Sequence, residues 1–66
     1  MNFFLTIKCD NAAFCDADNK EFDDDAAKRE ISRILHEVAE YIKDGGDGRL
    51  IFDINGNRVG VCGIND

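Results

Sequence analysis

The stretch from Asp24 to Asp44 reads DDAAKREISRILHEVAEYIKD and sets the architecture of this 66-residue chain. Its apolar residues recur at spacings of three and four, which places them on one stripe of an α-helix. They are Ala27, Ile31, Ile34, Leu35, Val38, Ala39 and Ile42. Asp23 to Asp25 offer an N-cap and negative charge at the positive end of the helix dipole, and Gly45-Gly46 ends the helix. The pattern predicts one amphipathic helix over residues 24–44.

A β-hairpin is predicted downstream of this helix. Residues 49–54 and 57–63 flank Asn55-Gly56, a dipeptide that favours a two-residue type I′ turn because both positions need positive φ. A two-residue loop brings Asp53 opposite Arg58 as an ion pair across the strands. The same register pairs Phe52 with Val59 and Leu50 with Val61, and it gathers these four apolar side chains on one face, which we take as the core face.

A first strand is predicted over residues 2–9, where apolar residues alternate with others. The inward set is Phe3, Leu5, Ile7 and Cys9. In the hairpin, Ile51 and Gly60 then fall on the outer face, with a β-bulge at Gly60 as an alternative. Residues 10–23 show neither strand nor helix period and are rich in Asp, Asn and Ala, so we expect an acidic loop.

The order strand, helix, strand, strand predicts an α+β fold of β-α-β-β type. A chain of this length has one small core, so residues 1–66 are expected to form a single domain. The economical arrangement is a three-stranded, mainly antiparallel sheet with the helix packed on one face. Two topologies stay open: strand order 1-3-2, with every pair antiparallel, or a right-handed β-α-β crossover that places the first strand beside the second.

The charge distribution points to the class of partner. The chain carries 14 acidic and 8 basic residues, a net charge of -6. Residues 10–25 hold seven of the acidic side chains against Lys20 alone, whereas the rest of the chain is balanced. Such a distribution disfavours direct binding to nucleic acid or to an anionic membrane, and it favours a basic protein surface. We see no signal peptide and no apolar run that spans a bilayer, so we expect a cytoplasmic protein.

Catalytic and metal-binding patterns are weak. The single histidine, His36, falls on the polar face of the predicted helix, and the cysteines form no C-x-x-C pair. We expect Cys9 to be buried, Cys15 and Cys62 to be accessible, and all three thiols to be reduced. Two segments begin like an EF-hand loop, at Asp16-x-Asp18 and Asp53-x-Asn55, but both lack the required glycine and the final glutamate. We therefore expect a protein that is not an enzyme and that holds no cofactor or metal.

The acidic segment is the leading candidate for binding. Its simplest interpretation is a solvated loop that leads into a charged helix start; the sharper one is a docking surface for a basic partner. The residues predicted to bind are Asp16, Asp18, Glu21, Asp23, Asp24, Asp25 and Glu30. The alternative function is a small structural or regulatory module that dimerises or binds a partner through its open sheet face, using Phe4, Ile51 and unpaired strand edges.

Three motifs resemble those of a family of very small phage and prophage proteins that includes anti-CRISPR inhibitors. They are Asp10-Asn11-Ala12-Ala13-Phe14, Glu30-Ile31-Ser32-Arg33-Ile34-Leu35 and Asp53-Ile54-Asn55-Gly56-Asn57-Arg58-Val59-Gly60. The resemblance implies a phage-encoded protein in the bacterial cytoplasm that inhibits a type I-C surveillance complex. Its partner would be a basic Cas subunit of Cas8 or Cas5 type, and by mimicking the charge of DNA the inhibitor would block target-DNA binding. We expect it to act as a monomer.

Overall fold

The computed structural model describes residues 1–15, 21 and 23–65. It contains strand β1 (Asn2–Ile7), a short 3-10 turn (Ala12–Phe14), helix α1 (Asp24–Lys43), strand β2 (Gly48–Phe52) and strand β3 (Arg58–Asn65). The predicted α+β class is confirmed, with one helix packed against a three-stranded sheet. The strand order is β1-β3-β2 and both pairings are antiparallel, which decides between the two topologies. Strands β1 and β2 are therefore the two edges of the sheet.

The hairpin turn is one residue longer than predicted. The Asp53 N–H donates to the Asn57 carbonyl oxygen at 2.8 Å, and the Gly56 N–H donates to the Asp53 carbonyl oxygen at 3.0 Å. The loop is thus Ile54 to Gly56, with the left-handed conformation at Gly56 (φ +84°). The predicted two-residue loop is wrong because the Asp53 carboxylate, described below, stabilises the longer turn.

The longer turn changes the register next to it. Leu50 pairs with Val61 as predicted, but Phe52 pairs with Arg58, and the register shifts between Ile51 and Phe52. Val59 lies between these two pairs and has no partner on β2, so it forms a β-bulge. The bulge lies next to Gly60, where the sequence analysis gave a bulge as the alternative. The predicted pairing of Phe52 with Val59 is wrong, and so is the pairing of Asp53 with Arg58.

The face that α1 covers is the opposite of the predicted one in the hairpin. Ile51, expected on the outer face, is only 3% exposed, and Val59 and Cys62 are buried beside it. The other core residues are Phe14, Ala27, Ile34 and Val38. The register of β1 explains the difference, because Leu5 pairs with Cys62 and Leu5 packs against the core.

Consequently the outward face of the sheet carries residues that were expected in the core. Leu50 and Phe52 are exposed, and Val61, only partly buried, pairs with the exposed Thr6. Cys62, expected to be accessible, is buried.

Both ends of α1 form as predicted. Asp23 is the N-cap, and its carboxylate accepts a hydrogen bond from the Asp25 N–H at 3.1 Å. At the other end the Gly46 N–H donates to the Tyr41 carbonyl and the Gly45 N–H to the Ile42 carbonyl, with Gly45 at φ +102°. These bonds form a Schellman motif, which a glycine in this conformation favours. No helix within the described residues is long and apolar enough to cross a membrane.

Candidate functional site

The acidic amino end of α1 is exposed, except where it caps the helix. Asp24 and Asp25 are exposed; Asp23 is half-buried, and its carboxylate accepts a hydrogen bond from the Asp25 N–H. Asp24 contacts Lys28 at 3.4 Å, but both side chains are about three-quarters exposed and so the pair is weak. Glu21 is exposed just before the helix. These four carboxylates give the amino end of α1 a negative surface.

Two of the predicted binding residues cannot be placed on this surface. Asp16 and Asp18 lie outside the described residues. The candidate site therefore comprises Glu21, Asp24 and Asp25, together with Asp23 as the N-cap. We call this set the acidic end of α1.

Glu30 has a different environment from the other predicted binding residues. It is only 6% exposed, and its two carboxylate oxygens accept hydrogen bonds from Arg33 at 2.7 and 3.0 Å. The backbone N–H of Ile54 also donates to Glu30, at 2.7 Å. Because these donors occupy both oxygens of Glu30, Glu30 is not part of the acidic end of α1.

These hydrogen bonds also fix the ionisation of Glu30. The bonds from Arg33 hold the pKa of the Glu30 carboxyl below its ordinary value, although burial opposes this, and the Ile54 N–H adds to the lowering. Arg33 in turn has a raised pKa, chiefly because it donates to Glu30. Arg33 also contacts Glu37 at 3.0 Å and donates to the Phe52 carbonyl at 3.3 Å. Glu30 and Arg33 therefore join the middle of α1 to the hairpin turn.

Asp53 organises that turn from within. It is buried, and one carboxylate oxygen accepts hydrogen bonds from the N–H groups of Asn55 (2.9 Å) and Asn57 (2.8 Å). The other oxygen accepts from the side-chain amides of Asn11 (3.2 Å) and Asn57 (3.4 Å). Burial alone would raise the pKa of Asp53, but the hydrogen bonds outweigh it and lower the pKa.

The three motifs behind the family resemblance thus meet at one place in the fold. Asn11 of the first motif binds Asp53 of the third, and Glu30 of the second binds Ile54 of the third. Phe14, also in the first motif, is fully buried in the core. In this chain the contacts of these motif residues hold the turn, the helix and the 3-10 segment together, and this role was missed from the sequence. The available signal in the sequence was the Asp of D-x-N-G-N, whose carboxylate can accept hydrogen bonds from the turn that follows it.

Among the residues that the structure describes, the histidine and the cysteines contact backbone carbonyls or are buried. The Nδ1 atom of His36 lies 2.8 Å from the Ser32 carbonyl, and the Cys15 thiol lies 3.3 Å from the Asn11 carbonyl. Cys9 is half-buried, and burial together with the charge of Asp10 raises the pKa of its thiol. A raised thiol pKa lowers the fraction of nucleophilic thiolate. Within the described ranges, no three His, Cys, Asp or Glu side chains are grouped so as to hold a metal ion.

The outward face of the sheet is a second exposed surface. Phe4, Leu50 and Phe52 are between 40 and 43% exposed there. The Phe4 ring lies over Gly63, where an added Cβ would come within 2.9 Å of it. This face is apolar and is not covered by α1.

Comparisons with protein-family models, with curated proteins and with solved structures find no match to this chain.

Proposed function

We propose that this chain is a non-enzymatic inhibitor whose acidic end of α1 binds a basic, DNA-contacting surface on a type I-C CRISPR surveillance complex. The partner would be a Cas8- or Cas5-type subunit in the bacterial cytoplasm, and target DNA would be excluded by competition. The observation that supports this proposal is the exposure of Asp24 and Asp25 in the first turn of α1, with Glu21 exposed three residues before the helix. The partner class comes from the motif resemblance alone.

The physical basis of binding is electrostatic. Exposed carboxylates at one end of an acidic protein attract a Lys- and Arg-rich surface over about one Debye length, roughly 8 to 10 Å at physiological salt. The same basic surface binds DNA phosphates, so the two ligands compete for it. Affinity should therefore fall steeply as salt is raised.

The test compares two double variants of equal charge. Asp24→Asn/Asp25→Asn removes two exposed carboxylates from the acidic end of α1 and leaves the Asp23 cap intact. The control, Glu40→Gln/Asp44→Asn, removes two exposed carboxylates from the other end of the same helix. Binding to purified type I-C complex is measured across a salt series, with thermal unfolding as the check on folding.

We expect the Asp24/Asp25 variant to bind about tenfold more weakly and with a flatter salt dependence, since charged contacts contribute about 0.2 to 1 kcal/mol each at exposed sites and more when desolvated. The control variant should bind within about twofold of the parent, because its charges lie outside the contact. Equal losses in the two variants would show only a net-charge effect and would remove the assignment of the site. Binding of DNA to the complex that is unaffected by the parent protein would remove the proposed inhibition.

The outward face of the sheet supports a second candidate function, a module that binds an apolar partner surface. Phe4, Leu50 and Phe52 form an exposed apolar patch there, and such patches mark interaction sites when they are contiguous. Ile51 does not belong to this surface, because it is buried on the opposite face. Binding through this face would be insensitive to salt and would weaken on Phe52→Ser, whereas the Asp24→Asn/Asp25→Asn variant would bind normally.

A further inference from the structure

The two edges of the sheet differ in how their backbone groups are satisfied. Along β2, the Tyr41 hydroxyl bonds both the N–H and the carbonyl of Gly48. The Leu50 carbonyl accepts from Arg49 Nε at 3.2 Å, and the Phe52 carbonyl accepts from Arg33 at 3.3 Å. The outward carbonyls along β2 thus accept hydrogen bonds from side chains. Covering an edge strand in this way protects it from pairing with another chain.

The edge of β1 has no such protection from any residue that the structure describes. The Lys8 N–H donates to the Val59 carbonyl at 2.8 Å, so Lys8 faces β3. In an antiparallel pair alternate residues face the same neighbour, so the N–H and carbonyl groups of Phe3, Leu5 and Ile7 point away from β3. Among the described residues, these groups have one contact, a long one of 3.8 Å from the Cys9 thiol to the Ile7 carbonyl.

The side chains along the open edge are apolar. β1 reads NFFLTI, with no charged residue and no proline to discourage pairing. On the helix side, Phe3 (51% exposed) and Leu35 (47% exposed) flank an open groove of about 320 Å³. The rest of its lining is Leu5, Val38, Ala39 and Ile42. An unpaired strand edge and an apolar groove therefore lie side by side.

We propose that a second copy of this chain occupies this edge, with the two β1 strands pairing antiparallel about a two-fold axis at Leu5. This register places Leu5 opposite Leu5 of the second copy and Phe3 opposite Ile7 of the second copy. Phe3, Leu5 and Ile7 then each donate one N–H and accept at one carbonyl across the axis, which gives six hydrogen bonds between the two copies. A shift of the axis to Phe4 or Thr6 leaves one of the three without a partner.

The self-complementarity of β1 is the reason to choose a second copy over an unrelated strand. The paired strands place an aromatic Phe3 beside a β-branched Ile7 twice, a favourable cross-strand combination. The same arrangement places Ile7 and Leu5 of the second copy opposite Phe3 and Leu5, the two β1 residues that line the groove. Six residues of strand and one groove make a small interface, and interfaces below about 1,200 Å² hold transient complexes. The dimer is expected to be weak, and it departs from the monomer expected in the sequence analysis.

This dimer is independent of the proposed function, since it uses neither Asp24 nor Asp25. It joins the sheets of two copies into one of six strands and leaves the acidic end of each α1 available. A failed binding test on the surveillance complex would therefore say nothing against the dimer, and a monomeric protein would say nothing against inhibition.

The test uses synthetic protein with one N-methylated backbone amide, which removes an N–H and keeps the side chain. N-methyl-Leu5 blocks the edge of β1; N-methyl-Leu50 is the matched control, because Leu50 holds the equivalent outward position on β2. Sedimentation velocity is run from about 1 µM to about 1 mM, the range that covers weak and transient interfaces. Thermal unfolding confirms that each variant is folded.

We expect the parent and N-methyl-Leu50 proteins to dimerise with similar dissociation constants. N-methyl-Leu5 should raise the dissociation constant at least about tenfold, because both central hydrogen bonds of the dimer are lost. A second pair, Phe3→Glu against Phe52→Glu, separates the β1 edge from the outward face by the same charge change. Only the Phe3 variant should be monomeric.

Three results would overturn the proposal. The first is a parent protein that stays monomeric up to the highest concentration. The second is a dimer that N-methyl-Leu5 leaves unchanged or that N-methyl-Leu50 weakens equally. The third is a dimer abolished by Phe52→Glu and kept by Phe3→Glu, which would assign the contact to the outward face.

Discussion

Replacing Glu30 by Gln should destabilise the fold far more than its position on a helix suggests. Glu30 is 6% exposed and accepts three hydrogen bonds, two from Arg33 and one from the Ile54 N–H. Glutamine keeps the size of the side chain but presents one acceptor oxygen and one NH₂ donor in place of two acceptors. In either orientation of the amide, its NH₂ group faces a donor of Arg33: Nε alone if it replaces Oε1, or the second guanidinium nitrogen together with the Ile54 N–H if it replaces Oε2.

The expected loss is about 2 kcal/mol of unfolding free energy, because hydrogen bonds to charged groups contribute about 1.5 to 3 kcal/mol each. The loss stays below the 3 to 5 kcal/mol of a fully buried ion pair, since Arg33 keeps its contacts to Glu37 and Phe52. For a domain of this size, about 2 kcal/mol lowers the melting temperature by roughly 8 to 16 °C.

The assay is urea and thermal unfolding followed by circular dichroism, with Glu37→Gln as the control. Glu37 contacts the same Arg33 at 3.0 Å but its side chain is more than half exposed. The control removes the same charge from the same partner and should cost at most about 0.5 kcal/mol. Equal, small losses for the two variants would refute the role of Glu30 in joining α1 to the hairpin turn.

Two further predictions concern the same region and the β1–β3 pair. Glu30 and Asp53 both have lowered pKa values, so their ionised forms stabilise the fold fully above the unfolded pKa values of about 4.3 and 3.9, and this stabilisation is lost as the pH falls through the folded pKa values. The melting temperature should therefore drop below about pH 4.5, and it should drop less in Glu30→Gln. Equal acid slopes in the parent and the variant would contradict this. Gly60→Ala should cost about 2 kcal/mol or more by chemical denaturation, because the methyl group would collide with the Thr6 carbonyl. Gly48→Ala, where the nearest atom is 3.6 Å away, should stay within about 0.5 kcal/mol.

Local patterns sufficed for the elements themselves. The three-and-four spacing predicted α1 to within one residue at its end, and the cap and the stop fall within the predicted segments Asp23 to Asp25 and Gly45-Gly46. Both signals depend on the backbone of the helix alone and not on what it packs against. Strand alternation likewise identified Leu5 and Ile7 as core-facing.

The covered face of the hairpin could not be predicted in the same way. Leu50, Phe52 and Val61 outnumber Ile51 and Cys62, so a count of apolar residues selects the wrong side. The covered side is determined by which residue of β3 lies beside Leu5, and that long-range register leaves no local pattern. Asp53 added to the error, since its carboxylate stabilises a three-residue loop where Asn55-Gly56 suggests two residues.

The polar residues considered for binding fall into two groups, those that form hydrogen bonds within the fold and those that are exposed, and the sequence alone does not distinguish them. In the sequence Asn11, Glu30 and Asp53 look like exposed polar residues, yet each forms hydrogen bonds with another part of the fold. A motif built from such residues specifies a turn and its supports, so sharing it is an argument for a shared structure. Both proposals accordingly place binding in residues outside the motifs. In the described part of this chain those are the exposed carboxylates Asp24 and Asp25 and the open backbone of β1, and the charge and N-methyl variants address them separately.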